Sequence, residues 1–185
     1  MMRSMKAILI AAGFLGALSF GANAAPNLLV NGSFETGDFT GWTQSGNGGF
    51  TSVQFGSAQD GDFAVSAGPV GSDGLLSQTF TDTPGDILVV SGWLQGAGSS
   101  PSDFNMSFNG TTFITVNPVP SQGYTQYSFT VTATGSDTFT VGFRNDPSFD
   151  QFDNFSVTAT PEPASLALLG AGIAGLGLIG RRKSA

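Results

Sequence analysis

The chain has 185 residues with 6 Lys and Arg against 13 Asp and Glu, no His and no Cys. Without Cys or His there are no disulfides, no thiolate or imidazole metal ligands and no Ser-His-Asp relay. Five of the six cations lie near the termini; residues 25–160 hold twelve acids against Arg144 alone, a net charge of −11 that excludes nucleic acid as a partner.

The elements follow in chain order. Arg3 and Lys6 precede an uncharged apolar run, Ala7 to Phe20, and then Ala22-Asn23-Ala24. This is the layout of a secretory signal, with small residues at Ala22 and Ala24 and a cut expected after Ala24. Residues 1–24 are therefore read as a signal peptide, residues 25–159 as one domain and residues 160–185 as a tail. The body is rich in Gly, Thr, Ser and Phe, which favours strands and turns over helix. Expected strands are Phe50–Phe55, Asp62–Ala67, Leu75–Phe80, Asp86–Gln95, Ser102–Phe108 and Thr111–Val116. Clean period-2 alternation follows at Tyr127, Phe129 and Val131, then at Phe139, Val141 and Phe143, before a last strand at Gln151–Ala159. Asn109-Gly110 suits a two-residue hairpin, and Pro84-Gly85 and Gly135-Ser136 mark turns. Short strands with such turns predict an all-β antiparallel sandwich.

Thr160 opens the linker to the tail, where Pro161-Glu162-Pro163 stops regular structure. Ala164 to Gly180 is an uncharged stretch of 17 residues, long enough at ~1.5 Å per residue to cross a thin bilayer core as a helix. Arg181-Arg182-Lys183 follows and holds that end in the cytoplasm, so the body faces the other side. Ala167, Ala171 and Gly175 recur every fourth residue, a spacing that permits close helix approach.

This order of Pro-Glu-Pro, apolar helix and basic cluster resembles the PEP-CTERM family, whose tail is also catalogued as an ice-binding protein C-terminal domain. The resemblance implies a membrane-anchored precursor, processing near Pro161, Glu162 and Pro163 by an exosortase-type membrane protease, and a Gram-negative-type envelope. It also implies a link to exopolysaccharide or biofilm matrix.

A second resemblance lies in the body. Asn27-Leu28-Leu29-Val30-Asn31-Gly32-Ser33-Phe34-Glu35, then Gly41-Trp42, Asp60-Gly61-Asp62-Phe63-Ala64-Val65, Gly74-Leu75-Leu76-Ser77-Gln78-Thr79-Phe80 and Asp153-Asn154-Phe155-Ser156-Val157 resemble the galactose-binding-like jelly rolls, including several carbohydrate-binding modules. That likeness implies a structural Ca²⁺ between the first turn and the last strand. Its ligands would be the carboxylates of Glu35 and Asp153 and backbone carbonyls near Ser33 and Asp60. Asp153 has the strand parity of Phe155 and Val157 and is expected to face inward, where a hard cation would satisfy it. A water-exposed rim position, or a pair with Arg144, are the alternatives.

Sugar rings stack on aromatic faces, which makes Trp42 and Trp93 candidate ligand residues, with Tyr124, Asn109 and Arg144 beside them. Core placement is the competing expectation for both tryptophans, since Trp93 shares parity with Ile87 and Val89. Thr130, Thr132, Thr138 and Thr140 would line an outer face, either as ordinary polar cover or as an ice-binding array. No catalytic constellation is visible. The sequence therefore reads as a noncatalytic surface protein, either a glycan binder, a structural coat or floc component without specific ligand, or an ice or surface adhesin.

Overall fold

The computed structural model describes residues 25–146 and 148–160. The signal segment with Ala22 and Ala24, the motif Pro161, Glu162 and Pro163, the apolar run 164–180 and the cations Arg181, Arg182 and Lys183 lie outside the described residues.

Ten strands follow one another: β1 Thr43–Gly46, β2 Thr51–Phe55, β3 Phe63–Ala67, β4 Gly74–Thr81, β5 Ile87–Ala97, β6 Ser102–Phe108, β7 Thr111–Val116, β8 Ser121–Thr132, β9 Ser136–Asn145 and β10 Asp150–Ala159. They form two five-stranded antiparallel sheets. Sheet A runs β1-β4-β9-β6-β7 and sheet B runs β2-β3-β10-β5-β8. The sandwich expected from the sequence is thus observed, and among the described residues no helix occurs. Nine of the ten strands overlap an expected one. The tenth, β1, has four exposed residues and no apolar alternation to mark it. Asn109 and Gly110 make the β6–β7 hairpin with φ of 48° and 77°, the left-handed pair that a tight right-twisted hairpin needs.

Outside β1, alternation puts one face of the strands between the sheets. From β4 come Leu76 and Phe80, from β5 Leu88, Val90 and Leu94, from β9 Phe139, Val141 and Phe143, and from β10 Phe152, Phe155 and Val157. Aromatic rings dominate this core. Phe155 lies 5.5 Å from Phe139, 5.7 Å from Phe152, 5.9 Å from Trp42 and 6.1 Å from Phe34 between ring centroids. Each such ring contributes ~2–3 kcal/mol of burial, and edge-on contacts add to it. Gly92 makes room for the cluster: a Cβ there would sit 2.2 Å from the Phe155 ring.

The segment before β1 is stitched to β10. Leu28 N–H donates to Val157 O (2.8 Å), Phe155 N–H donates to Gly32 O (2.8 Å), and the Asn27 side chain bonds Phe155 O and Val157 N. Both ends of the described body, residues 25–28 and Thr160, therefore meet at one end of the sandwich, where Thr160 N–H donates to Ile87 O.

Candidate functional site

The register of sheet B decides what its outer face presents. On β5 the buried residues are Leu88, Val90, Gly92 and Leu94, so Val89, Ser91, Trp93 and Gln95 point outward. Trp93 therefore shares parity with Ile87 and Val89 as expected, but that parity is the outer face. The apolar run Ile87–Val90 hides which side is in. Trp93 pairs with Gln126 of β8 on one side and with Asp153 of β10 on the other. One row along, Gln95 pairs with Gln151, and Gln151 with Ser66. In the other direction Ser91 pairs with Ser128 and Ser156. Paired residues share a face. The outer face of sheet B is thus a half-buried tryptophan ringed by Gln95, Gln126, Gln151 and serines. Among the described residues none of those three glutamine amides has a hydrogen-bond partner, so each keeps donors and an acceptor free.

A strap crosses this face. The β2–β3 loop, residues 56–62, reaches β8, where the Tyr124 hydroxyl donates to Ser57 O at 2.6 Å. Burial, reinforced by the Asp153 charge, raises the Tyr124 pKa and keeps the phenol protonated as a donor. Asp153 holds the loop from below. Its Oδ2 accepts from Gln59 N–H (2.8 Å) and Asp60 N–H (3.2 Å), and its Oδ1 from Asn154 N–H (2.6 Å). Asn154 Nδ2 donates to Gln59 Oε1. From the other side the Glu35 carboxylate accepts from Asp62 N–H (3.0 and 3.1 Å) and Phe63 N–H (3.0 Å). It lies against Gly61, where a Cβ would come within 2.4 Å of its carboxyl carbon.

Asp153 is fully buried, yet not for the reason its parity suggests. The β5–β10 register shifts between Asp153 and Ser156, and Asn154 takes a left-handed φ of 50°. This bulge inserts one residue, so Phe152 and Phe155 both point inward while Asp153 points out, under the strap. Burial, opposed by the loop amides and reinforced by the Glu35 charge, pushes the Asp153 carboxyl up to about 6.

The two acids named for a cation are thus both turned to one loop, and what the loop gives them is N–H donors. Among the described residues no group of three or more acidic, Cys or His side chains could hold a metal. The charged side chains here are both carboxylates, Asp153 is buried at a cost, and Arg144 is committed to Asp146. A hard cation at Glu35 and Asp153 would compete with these N–H donors for the same carboxylate oxygens.

The remaining candidates scatter. Trp42 is in the core, 8% exposed, stacked on Phe34 at 5.5 Å, with its Nε1–H donating to Asn31 O. It offers no ring face to a ligand. Asn109 spends its amide on the hairpin, donating to Asp137 Oδ1 and accepting from Thr138 N–H. Arg144 lies on the outer face of sheet A, opposite Asp103. It is bidentate to Asp146 at 2.5 and 2.7 Å, and this pair raises the arginine and holds Asp146 down at about 2. Asp153 therefore has no partner in Arg144. Ser33 is half-buried and Asp60 exposed. The threonines divide: Thr130 and Thr132 belong to sheet B, Thr138 and Thr140 to sheet A, so they form no single array. Only Trp93 and Tyr124 share a face. Gln95, Gln126 and Gln151 were missed from sequence, because their role appears only when three strands are set side by side.

The solved structures similar to this body share that architecture. One is the TmCBM61 module in complex with β-1,4-galactotriose, at 22% identity and TM-score 0.59, over 74% of this chain and all of that one. Another is the CBM22-1 xylan-binding domain of Paenibacillus barcinonensis Xyn10C, at 21% identity and TM-score 0.57, over 77% of this chain and 99% of that one. The body shares the two-sheet jelly-roll fold of these modules. An enzyme is also among the similar structures: the bacteriophage CBA120 tailspike protein 4 enzymatically active domain, at 16% identity and TM-score 0.55, over 72% of this chain and 21% of that one. Residues 159–183 match the PEP-CTERM protein-sorting motif, which indicates an exported, membrane-processed protein. No curated protein matches the chain.

Proposed function

We propose that this is a noncatalytic glycan-binding protein of the cell surface or extracellular polysaccharide matrix of a Gram-negative-type bacterium, delivered there through its PEP-CTERM tail. One observation carries the reading: the outer face of sheet B sets Trp93 among Gln95, Gln126 and Gln151, whose amides are free. An indole face takes the C–H side of a pyranose, and side-chain amides exchange paired hydrogen bonds with vicinal hydroxyls. The net charge of −11 favours neutral chains over acidic ones. The jelly-roll likeness to modules whose structures are described with galactotriose or as xylan-binding supports the same class of ligand.

The strap is part of this proposal. Ca²⁺ held by Glu35 and Asp153 would offset the charge of the two acids and fix residues 57–62 where they cross the face. Melting of the protein with and without a chelator reads this out directly; an unchanged midpoint removes the cation from the account.

Affinity electrophoresis through gels containing β-1,4-galactan, xylan or the host's own exopolysaccharide tests binding. Retardation that Trp93→Ala abolishes, with an unchanged melting temperature, is the expected result. No retardation in any gel identifies instead a structural coat component without a specific ligand.

A further inference from the structure

We infer that the β8 edge of sheet B is a self-association surface, on which a second copy of this chain docks its own β8 in antiparallel orientation.

Each sheet ends in two edge strands. β1 and β2 close one flank of the sandwich with four and five residues, and β7 closes sheet A on the other flank with six. β8, the edge of sheet B, has twelve. Edge strands present a row of unpaired N–H and C=O groups, and proteins guard them by shortness, bulges, proline or charge, lysine above all. β8 uses one of these devices, and only at its start, where a register shift against β5 falls between Leu94 and Gly96. From Thr125 to Thr132 it pairs with β5 residue by residue without interruption and contains neither proline nor charge. That regular stretch is ~26 Å long.

Charge distribution selects the occupant. From Phe104 to Ser136 the chain has no charged residue, and this segment makes up β6 beyond Asp103 and the whole of β7 and β8. All twelve acids of the body lie outside it. Two copies at −11 repel wherever they meet acid to acid, and this flank is where they meet without doing so. A cationic partner would find nothing here to hold. The strand that fits an uncharged edge is another uncharged edge, and antiparallel pairing of β8 with itself is closed by a twofold axis, so it stops at a dimer. The inward side of the edge is also under-covered. Tyr127, Phe129 and Val131 remain half-buried, and Phe113, stacked on Phe129 at 4.6 Å, is 45% exposed. A neighbouring β8 would carry its own Tyr127, Phe129 and Val131 to that margin.

The chain has no cysteine, so single introduced cysteines are unambiguous probes. In the full exported chain, Gln126→Cys, Ser128→Cys and Thr130→Cys would be oxidised and run on non-reducing gels. Antiparallel self-pairing brings a residue opposite itself only at the twofold, within the ~5.5 Å Cα separation a disulfide spans. One position is expected to give most of the covalent dimer, with yields several-fold lower two residues away. Thr79→Cys, exposed on sheet A, should give none. Equal yields at all four sites, or none at any, overturn the proposal. In parallel, sedimentation of the wild-type chain should show its mass rising toward twice the monomer with concentration. Thr130→Lys, melting as the wild type does, should need at least tenfold more protein for the same mass. Wild-type protein that stays monomeric at all concentrations also overturns the proposal. A monomer that still binds polysaccharide would do so while leaving the proposed glycan face intact.

Discussion

Asp153 gives the most quantitative prediction, because the strap and the bulge together fix how it titrates. The carboxyl is buried beneath residues 57–62, and its pKa rises from 3.8 to about 6. In the unfolded chain it ionises near the lower value. Between the two values the folded state binds more protons than the unfolded state, so stability falls as pH rises through this window and levels off above about pH 6. Two units at ~1.36 kcal/mol each make the loss about 3 kcal/mol, or about 10 °C in melting temperature for a domain of this size. Other acids move too: burial raises Asp150 and Asp103, while hydrogen bonds from Thr36 lower Asp38. The comparison that isolates Asp153 is therefore wild type against Asp153→Asn, melted in chelator from pH 4 to 7.5. The wild type should lose about 10 °C more than the variant over that range, and Ca²⁺ should remove most of the difference. Parallel profiles for the two proteins would mean that Asp153 is not confined under the loop, and the description of the strap would be wrong.

Other expectations follow from the core and the termini. Phe155→Ala removes the ring at the centre of the aromatic cluster and should cost ~3–5 kcal/mol by denaturant titration. Gly92→Ala pushes a methyl into that same ring and should cost ~1–3 kcal/mol, partly restored when combined with Phe155→Leu. Mass spectrometry of the protein from its host should find an N-terminus at Ala25 and a chain ending near Pro161-Glu162-Pro163; an intact Met1 to Ala185 would refute export and processing.

The fold was legible because most strands announce themselves by period 2 with aromatic or branched residues on one side. β9 is the clearest case: Phe139, Val141 and Phe143 are all buried. Thr43–Gly46 was invisible because both its faces are exposed, so no pattern is imposed on it. The site was less legible, for two physical reasons. Alternation tells which residues share a face but not which face is inward, and where Ile87 is 48% exposed the apolar residues themselves mislead; Trp93 was judged by them. A bulge, moreover, resets alternation without any composition signal. Asn154 stands in the middle of β10, and its left-handed φ turns Asp153 from the core to the strap. Trp42 was named as a ligand candidate against a core reading, and the core reading holds: its indole N–H donates to Asn31 O. The bonds from Asp62 and Phe63 N–H to Glu35, 27 and 28 positions away, were not foreseen; the resemblance named Glu35 only as a cation ligand beside Asp153.

The outer face of sheet B as a glycan platform is the central claim, and the two tryptophans supply its most direct test. In a ¹⁵N-labelled sample the indole N–H signals of Trp42 and Trp93 are the only two of their kind. Titration with β-1,4-galactan or xylan oligosaccharides, or with fragments of the host polysaccharide, should shift the Trp93 indole together with the side-chain amides of Gln95, Gln126 and Gln151. The Trp42 indole, hydrogen-bonded to Asn31 O in the core, should stay in place. Saturable shifts that leave Trp93 and those glutamines unmoved and gather on another surface would contradict the account.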